Sequence, residues 1–251
     1  GVFNLAASYK GPYIGMPVNL TSTMTSPLGR IVPHRFSMMS FDLDPSCNAV
    51  SYFEQPASLS FTIQAQNASG GRVLNYRGTF AKATAALVAE NNNDGVERSS
   101  RLNNQSNLLS WDNGEAQLIN SPVYVKRDTA PDGPFSQLRI GLKLNDNDDL
   151  DAQLQALDQR VDSSANCSVA GDCDSKMLTT SDMDWRYGRL QIVNALGSEQ
   201  SNLPVQLKAE YWNGSQFVQH DADNCSVVQP ALLTATGTPA ISVSGRDETI
   251  R

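Results

Sequence analysis

Residues 185–225, WRYGRLQIVNALGSEQSNLPVQLKAEYWNGSQFVQHDADNC, decide the fold class. In this stretch residues 189–193 and 205–211 alternate polar and apolar side chains, a period of two that suits strands with one face on a core and one in water. Asn213-Gly214 separates residues 205–212 from 216–220, and Asn-Gly accepts the two positive φ angles of a type I′ turn, so a hairpin is expected. A two-residue loop puts Leu207, Ala209, Tyr211 and Val218 on one face, whereas a three-residue loop sets Phe217 opposite Tyr211. Pro204 cannot donate to a ladder and belongs at a strand start or on an edge.

The same period recurs upstream. Residues 58–66, SLSFTIQAQ, alternate Leu59, Phe61, Ile63 and Ala65 with polar side chains, and residues 72–80 are read as the returning strand of a hairpin. Residues 81–90 are read as a further strand. Residues 108–111 and 116–120 flank Asp112-Asn113-Gly114 as another hairpin, residues 121–125 continue it, and residues 135–144 alternate Leu138, Ile140, Leu142 and Leu144. Near the start, residues 4–10 and 16–23 read as strands interrupted by Gly11-Pro12 and Gly15. One segment departs from this period: in residues 149–161, Leu150, Leu154, Leu157 and Val161 fall at helical spacing, giving one short amphipathic helix or two β segments. The expected fold is all-β, with antiparallel Ig-like β-sandwich domains. Residues 1–28 form a β segment ending an upstream domain, 29–148 a sandwich, 149–180 an acidic and disulfide-closed connector, and 181–251 a second β domain.

Composition narrows the function. A formal charge of −7 and a pI near 4.8 argue against nucleic acid and anionic membrane as partners. No apolar run is long enough to span a membrane, and GVFNLAASYK lacks the layout of a signal peptide. The chain is therefore read either as cytosolic or as a piece of a longer precursor. The cysteines favour the second reading. Cys167 and Cys173 enclose only SVAGD and are expected to pair, leaving Cys47 with Cys225; four reduced thiols and a zinc site are the alternatives.

Candidate chemistry is sparse. Asp146, Asp148, Asp149 and Asp151 offer oxygen ligands for calcium, but NDNDDLD lacks the glycine and terminal glutamate of an EF-hand and reads first as a solvated turn. No catalytic motif surrounds His34 or His220, so no catalytic residue and no cofactor are assigned and a non-enzymatic role is expected. Asp182 and Asp184 could serve a glycosidase only across a shared cleft. Trp111, Trp185 and Trp212 could stack sugars but more readily pack in a core.

Three long strings, GRIVPHRF (29–36), YFEQPASLSFTIQAQNASGGRVLNYRGTFAK (52–82) and residues 185–226, resemble in order and style the large bacterial MshQ-like proteins of mannose-sensitive haemagglutinin (MSHA) type IV pilus biogenesis. Where that family has Met-Gly ahead of Gln-Pro, this chain has Phe53-Glu54. The resemblance implies an exported envelope protein of Gram-negative bacteria, at the cell surface or outer membrane, with pilus or envelope proteins and surface glycans as partners. It also implies a stalk or spacer role beneath lectin-like domains, as an excised β-rich fragment.

Overall fold

Ala57–Gln66 buries Ala57, Leu59, Phe61, Ile63 and Ala65 and leaves the residues between them half-buried, which makes it the central strand of the core. The computed structural model describes residues 4–6, 8–20, 32–47, 50–91, 94–103, 108–148, 152–161, 167, 172–179, 181–198 and 203–227. Among these the strands are β1 (Tyr9–Tyr13), β2 (Met16–Leu20), β3 (Arg35–Asp44), β4 (Val50–Tyr52), β5 (Ala57–Gln66), β6 (Ala83–Asn91), β7 (Val96–Glu97) and β8 (Trp111–Asp112). They continue with β9 (Glu115–Val123), β10 (Phe135–Asp146), β11 (Lys176–Met177), β12 (Met183–Arg186), β13 (Gly188–Ile192), β14 (Leu207–Trp212) and β15 (Phe217–Gln219).

Two sheets form a sandwich. One runs β3-β5-β9-β8 and the other β4-β12-β10-β6-β7, with β11 beside β10. Among the described strands all pairings are antiparallel except β4 with β12. Phe36, Leu59, Phe61, Ile63 and Val123 of the first sheet share one core with Ala89, Leu138, Ile140, Leu142, Met183 and Trp185 of the second. β1 and β2 form a separate hairpin turned at Ile14-Gly15, and β1 runs straight through Gly11-Pro12 rather than breaking there. β13-β14-β15 form a three-stranded meander. The fold is all-β, as the period-two patterning requires.

Several local expectations are corrected. Residues 152–161 are not helical: Ala152, Leu154, Gln159 and Val161 are buried, Leu154 bridges Phe36 and Gln159 bridges Ser175. The stretch forms neither the helix nor a continuous strand; two isolated β bridges, to Phe36 and Ser175, hold it against the sandwich. Residues 72–80 form no strand beyond a bridge between Gln66 and Arg72. Their place beside β5 is taken by β3 and β9, and the segment turns inward so that Tyr76 enters the core. The connector expected at 149–180 is not separate from the sandwich either: Ala152, Leu154 and Leu178 are core residues, and the expected boundary at 181 falls just before β12, a strand of the same sheet. Glu54 takes a left-handed turn with φ +66.

The two Asn-Gly sites fold differently. Asn113 and Gly114, with φ of 48° and 76°, fill a two-residue loop between Asp112 and Glu115, as a type I′ turn demands. At the second site Trp212 pairs with Phe217 and Tyr211 with Val218, so the loop is longer than either register considered. There Gly214 alone has positive φ, and Asn213 stays at the corner, its Oδ1 accepting from the Ser215 N–H (3.0 Å), Ser215 Oγ (3.0 Å) and Gln216 N–H (2.9 Å). A side-chain-capped corner has replaced the I′ turn. At the first site a methyl group on Gly114 would stand 2.3 Å from the Val73 carbonyl oxygen. Gly114→Ala is expected to cost about 2 kcal/mol or more, from clash and left-handed strain together, read as a fall in the urea midpoint.

Candidate functional site

A linked group of ionisable side chains lies where the sandwich meets the meander. β12 ends at Arg186 and β13 starts at Gly188, so Tyr187 alone links the two. Gly188 packs closely against the Tyr52 ring, where an added methyl would stand 2.5 Å from Cδ1. Backbone bonds carry both ladders up to this link: on the sandwich side Phe53 N–H donates to the Arg186 carbonyl (2.9 Å), and on the meander side Trp212 N–H donates to the Tyr187 carbonyl (2.9 Å).

Arg186 directs Nε and Nη2 at Asp184 Oδ2 (2.9 and 2.6 Å), lies 4.2 Å over the Tyr211 ring, and brings Nη1 to 3.0 Å from His220 Nε2. A guanidinium has no acceptor, so Nε2 must receive the bond and the imidazole proton sits on Nδ1. Nδ1 faces Tyr52 Oη, and Tyr52 donates to Asp223 Oδ2 (2.8 Å). Asp223 is buried and also accepts from Cys225 N–H (3.0 Å), Ser226 N–H (2.9 Å) and Ser226 Oγ (2.5 Å). The result is one ordered row running from cation to anion: Arg186, neutral His220, Tyr52, Asp223.

Electrostatics follow from this order. Burial, helped by the Arg186 charge, holds His220 below its ordinary value. For Asp223 burial alone would raise the carboxyl, but its four donors outweigh it and the net displacement is downward. Burial and donation to Asp223 push Tyr52 well above the usual phenol range. Both the lone pair of His220 and the proton of Tyr52 are therefore used inside the row, which suits it to holding two domains together rather than to acid–base work. The unfolded chain protonates His220 at its ordinary 6.5 while the folded protein resists, so stability is expected to fall as pH drops through and below 6.5. Thermal melts between pH 7.5 and 5.5 test this, and His220→Gln should flatten the dependence.

Covalent and stacking contacts reinforce the junction. Cys47 and Cys225 are joined, with Cα atoms 5.6 Å apart, and Cys167 is joined to Cys173, so no cysteine is free. Two disulfides mark a protein that folds outside the reducing cytosol. Arg127 lies 4.6 Å over the Tyr187 ring and donates to the Gly188 carbonyl (2.6 Å), while Arg189 lies 3.7 Å over Phe217.

The family models follow the same division. The model for DUF6701, third domain, matches residues 1–174, and that for DUF6701, fourth domain, matches residues 186–248. The chain belongs to the DUF6701 family. Nothing among curated proteins or solved structures matches it. In this DUF6701 chain the Cys47–Cys225 bond ties the third domain to the fourth, and β11 with most of β12, lying between the two matched stretches, completes the third-domain sheet.

The remaining sequence candidates are dispersed. Asp146 is buried, its Oδ2 accepting from Tyr76 Oη (2.9 Å) and its Oδ1 from Asp148 N–H (3.0 Å). Asp149 and Asp151 lie outside the described residues, as do 168–171 of the small disulfide loop and the tail from 228. Among the described residues no three His, Cys, Asp or Glu side chains converge as a metal site. Asp182 is held by Arg139 (2.7 Å) and Asp184 by Arg186. Trp111 packs with Phe36 and Tyr76, Trp185 is fully buried, and Trp212 stacks edge-on with Phe217, so the three tryptophans form no common platform. His34 is exposed and His220 buried. The Tyr52–His220 pairing was missed by sequence reasoning, although a signal existed: if Cys47 pairs with Cys225, residues five positions beyond the one and before the other become neighbours.

Proposed function

We propose that the chain is a non-enzymatic structural module of an exported bacterial surface protein tied to MSHA-type pilus biogenesis, acting as a rigid spacer that presents neighbouring domains. The observation that carries this reading is the junction. A single linking residue, a disulfide, stacked arginines and the Arg186–His220–Tyr52–Asp223 row fix two successive domains in one mutual orientation, a property a spacer needs. The resemblance of residues 29–36, 52–82 and 185–226 to MshQ-like proteins supplies the pilus context.

A protease site inserted at the exposed residues 67–69 of the full-length protein tests export. Cleavage on intact cells, with pilus-dependent attachment lost when residues 1–251 are deleted, is the expected result. Protection from protease, or attachment unchanged by the deletion, would reject the proposal. Calorimetry with Ca²⁺ and a glycan array should show no saturable binding; binding on either would replace the spacer with a ligand-holding module.

A further inference from the structure

The Cys47–Cys225 bond closes a covalent ring around residues 47–225. Within it lie β4 to β15, that is, one sandwich sheet whole, three of the four strands of the other, and the entire meander. Outside it among the described strands are the β1–β2 hairpin and β3. Tension applied at the two chain ends must therefore travel along β3, through residues 45–47, across the disulfide and out through Ser226. The covalent path does not enter the ring, which this tension reaches only through the β3–β5 ladder.

The described part of this route has little slack. β3 is ten residues already in extended form, at about 3.3 Å per residue against a limit of about 3.6 Å, so pulling along it gains only a few ångströms. Both anchor points are pinned. Cys47 and Val50 exchange backbone bonds of 2.9 and 2.8 Å, and on the other side Asp223 Oδ1 holds the N–H groups of Cys225 and Ser226. The ring stores roughly 600 Å of chain across its 178-residue separation, and none can be drawn out while the bond stands.

We infer that the Cys47–Cys225 bond is a load bypass, which lets this segment transmit tension without unreeling the chain held in the ring or parting its third and fourth domains. Its biological use rests on the spacer reading, but its mechanics do not. The test is single-molecule force spectroscopy on the full 251-residue chain with handles at both ends, oxidised and then reduced. Oxidised molecules should lengthen by no more than the chain outside the ring, residues 1–46 and 226–251, can supply, at most about 250 Å. Reduced molecules, and the Cys47→Ser/Cys225→Ser variant, should release a further length of roughly 600 Å. If the double variant does not fold, the oxidised trace still decides: an event of roughly 600 Å in oxidised protein overturns the bypass. That outcome leaves the spacer reading standing, whereas attachment unaffected by deleting the segment removes the spacer and leaves the bypass.

Discussion

The Cys47→Ser/Cys225→Ser variant is expected to lose about 5 kcal/mol of unfolding free energy, because opening so long a loop returns the most conformational freedom to the unfolded chain. Urea unfolding under non-reducing conditions measures it. The companion variant Cys167→Ser/Cys173→Ser, which opens a loop of only six residues' separation, should lose about 2 kcal/mol by the same reasoning. Equal losses from the two would show that ring size is not what sets the stabilisation. The larger loss also has a local component, since Cys47 is 5% exposed and serine would place a hydroxyl in its pocket.

Tyr76→Phe is the second large effect, at about 3 kcal/mol. The ring stays, wedged between Phe36 and Trp111 at centroid distances of 5.7 and 5.0 Å, so the change isolates the hydroxyl. That hydroxyl donates to Asp146 Oδ2 and accepts from the N–H groups of Lys82 (3.1 Å) and Ala83 (2.8 Å), all at the end of the β6–β10 ladder. Removing it withdraws a donor from a carboxylate that is 1% exposed and an acceptor from two backbone amides. Bonds to buried charge are worth more than neutral ones, which places this loss above that of an ordinary tyrosine. Tyr9→Phe, which gives up one exposed bond to the Pro12 carbonyl, should stay within about 0.5 kcal/mol. Thermal or urea melts of the two variants side by side check both values.

Much of the architecture could be read from the residues because strand burial follows a local period. β5 and β10 show their inward faces in the alternation of Leu59, Phe61, Ile63 and of Leu138, Ile140, Leu142. What failed depended on distant partners. Leu154, Leu157 and Val161 have helical spacing, yet Phe36 and Ser175 supply strand bridges to that segment, and no count along the chain contains those two residues. Residues 72–80 look like a return strand, but β5 has two edges and both were claimed from elsewhere. The same Asn-Gly pair made two different turns, because Ser215 and Gln216 can donate to Asn213 and lengthen the loop. The junction row was the least legible part. Tyr52, Arg186, His220 and Asp223 span more than 170 positions, with 171 between Tyr52 and Asp223, and only the fold brings them together.

The nesting of the two disulfides bears on how such a chain matures. For a polypeptide that emerges N-terminus first into an oxidising space, thiols appear in the order 47, 167, 173, 225, and pairing neighbours as they arrive would yield the wrong set. Cys47 must wait for the last. A six-residue loop closes far faster than one spanning most of the chain. Early closure of Cys167 with Cys173 therefore removes both competitors, and the remaining thiol has a single mate. By loop length alone the small ring is expected to close first and to leave the large one a single pairing.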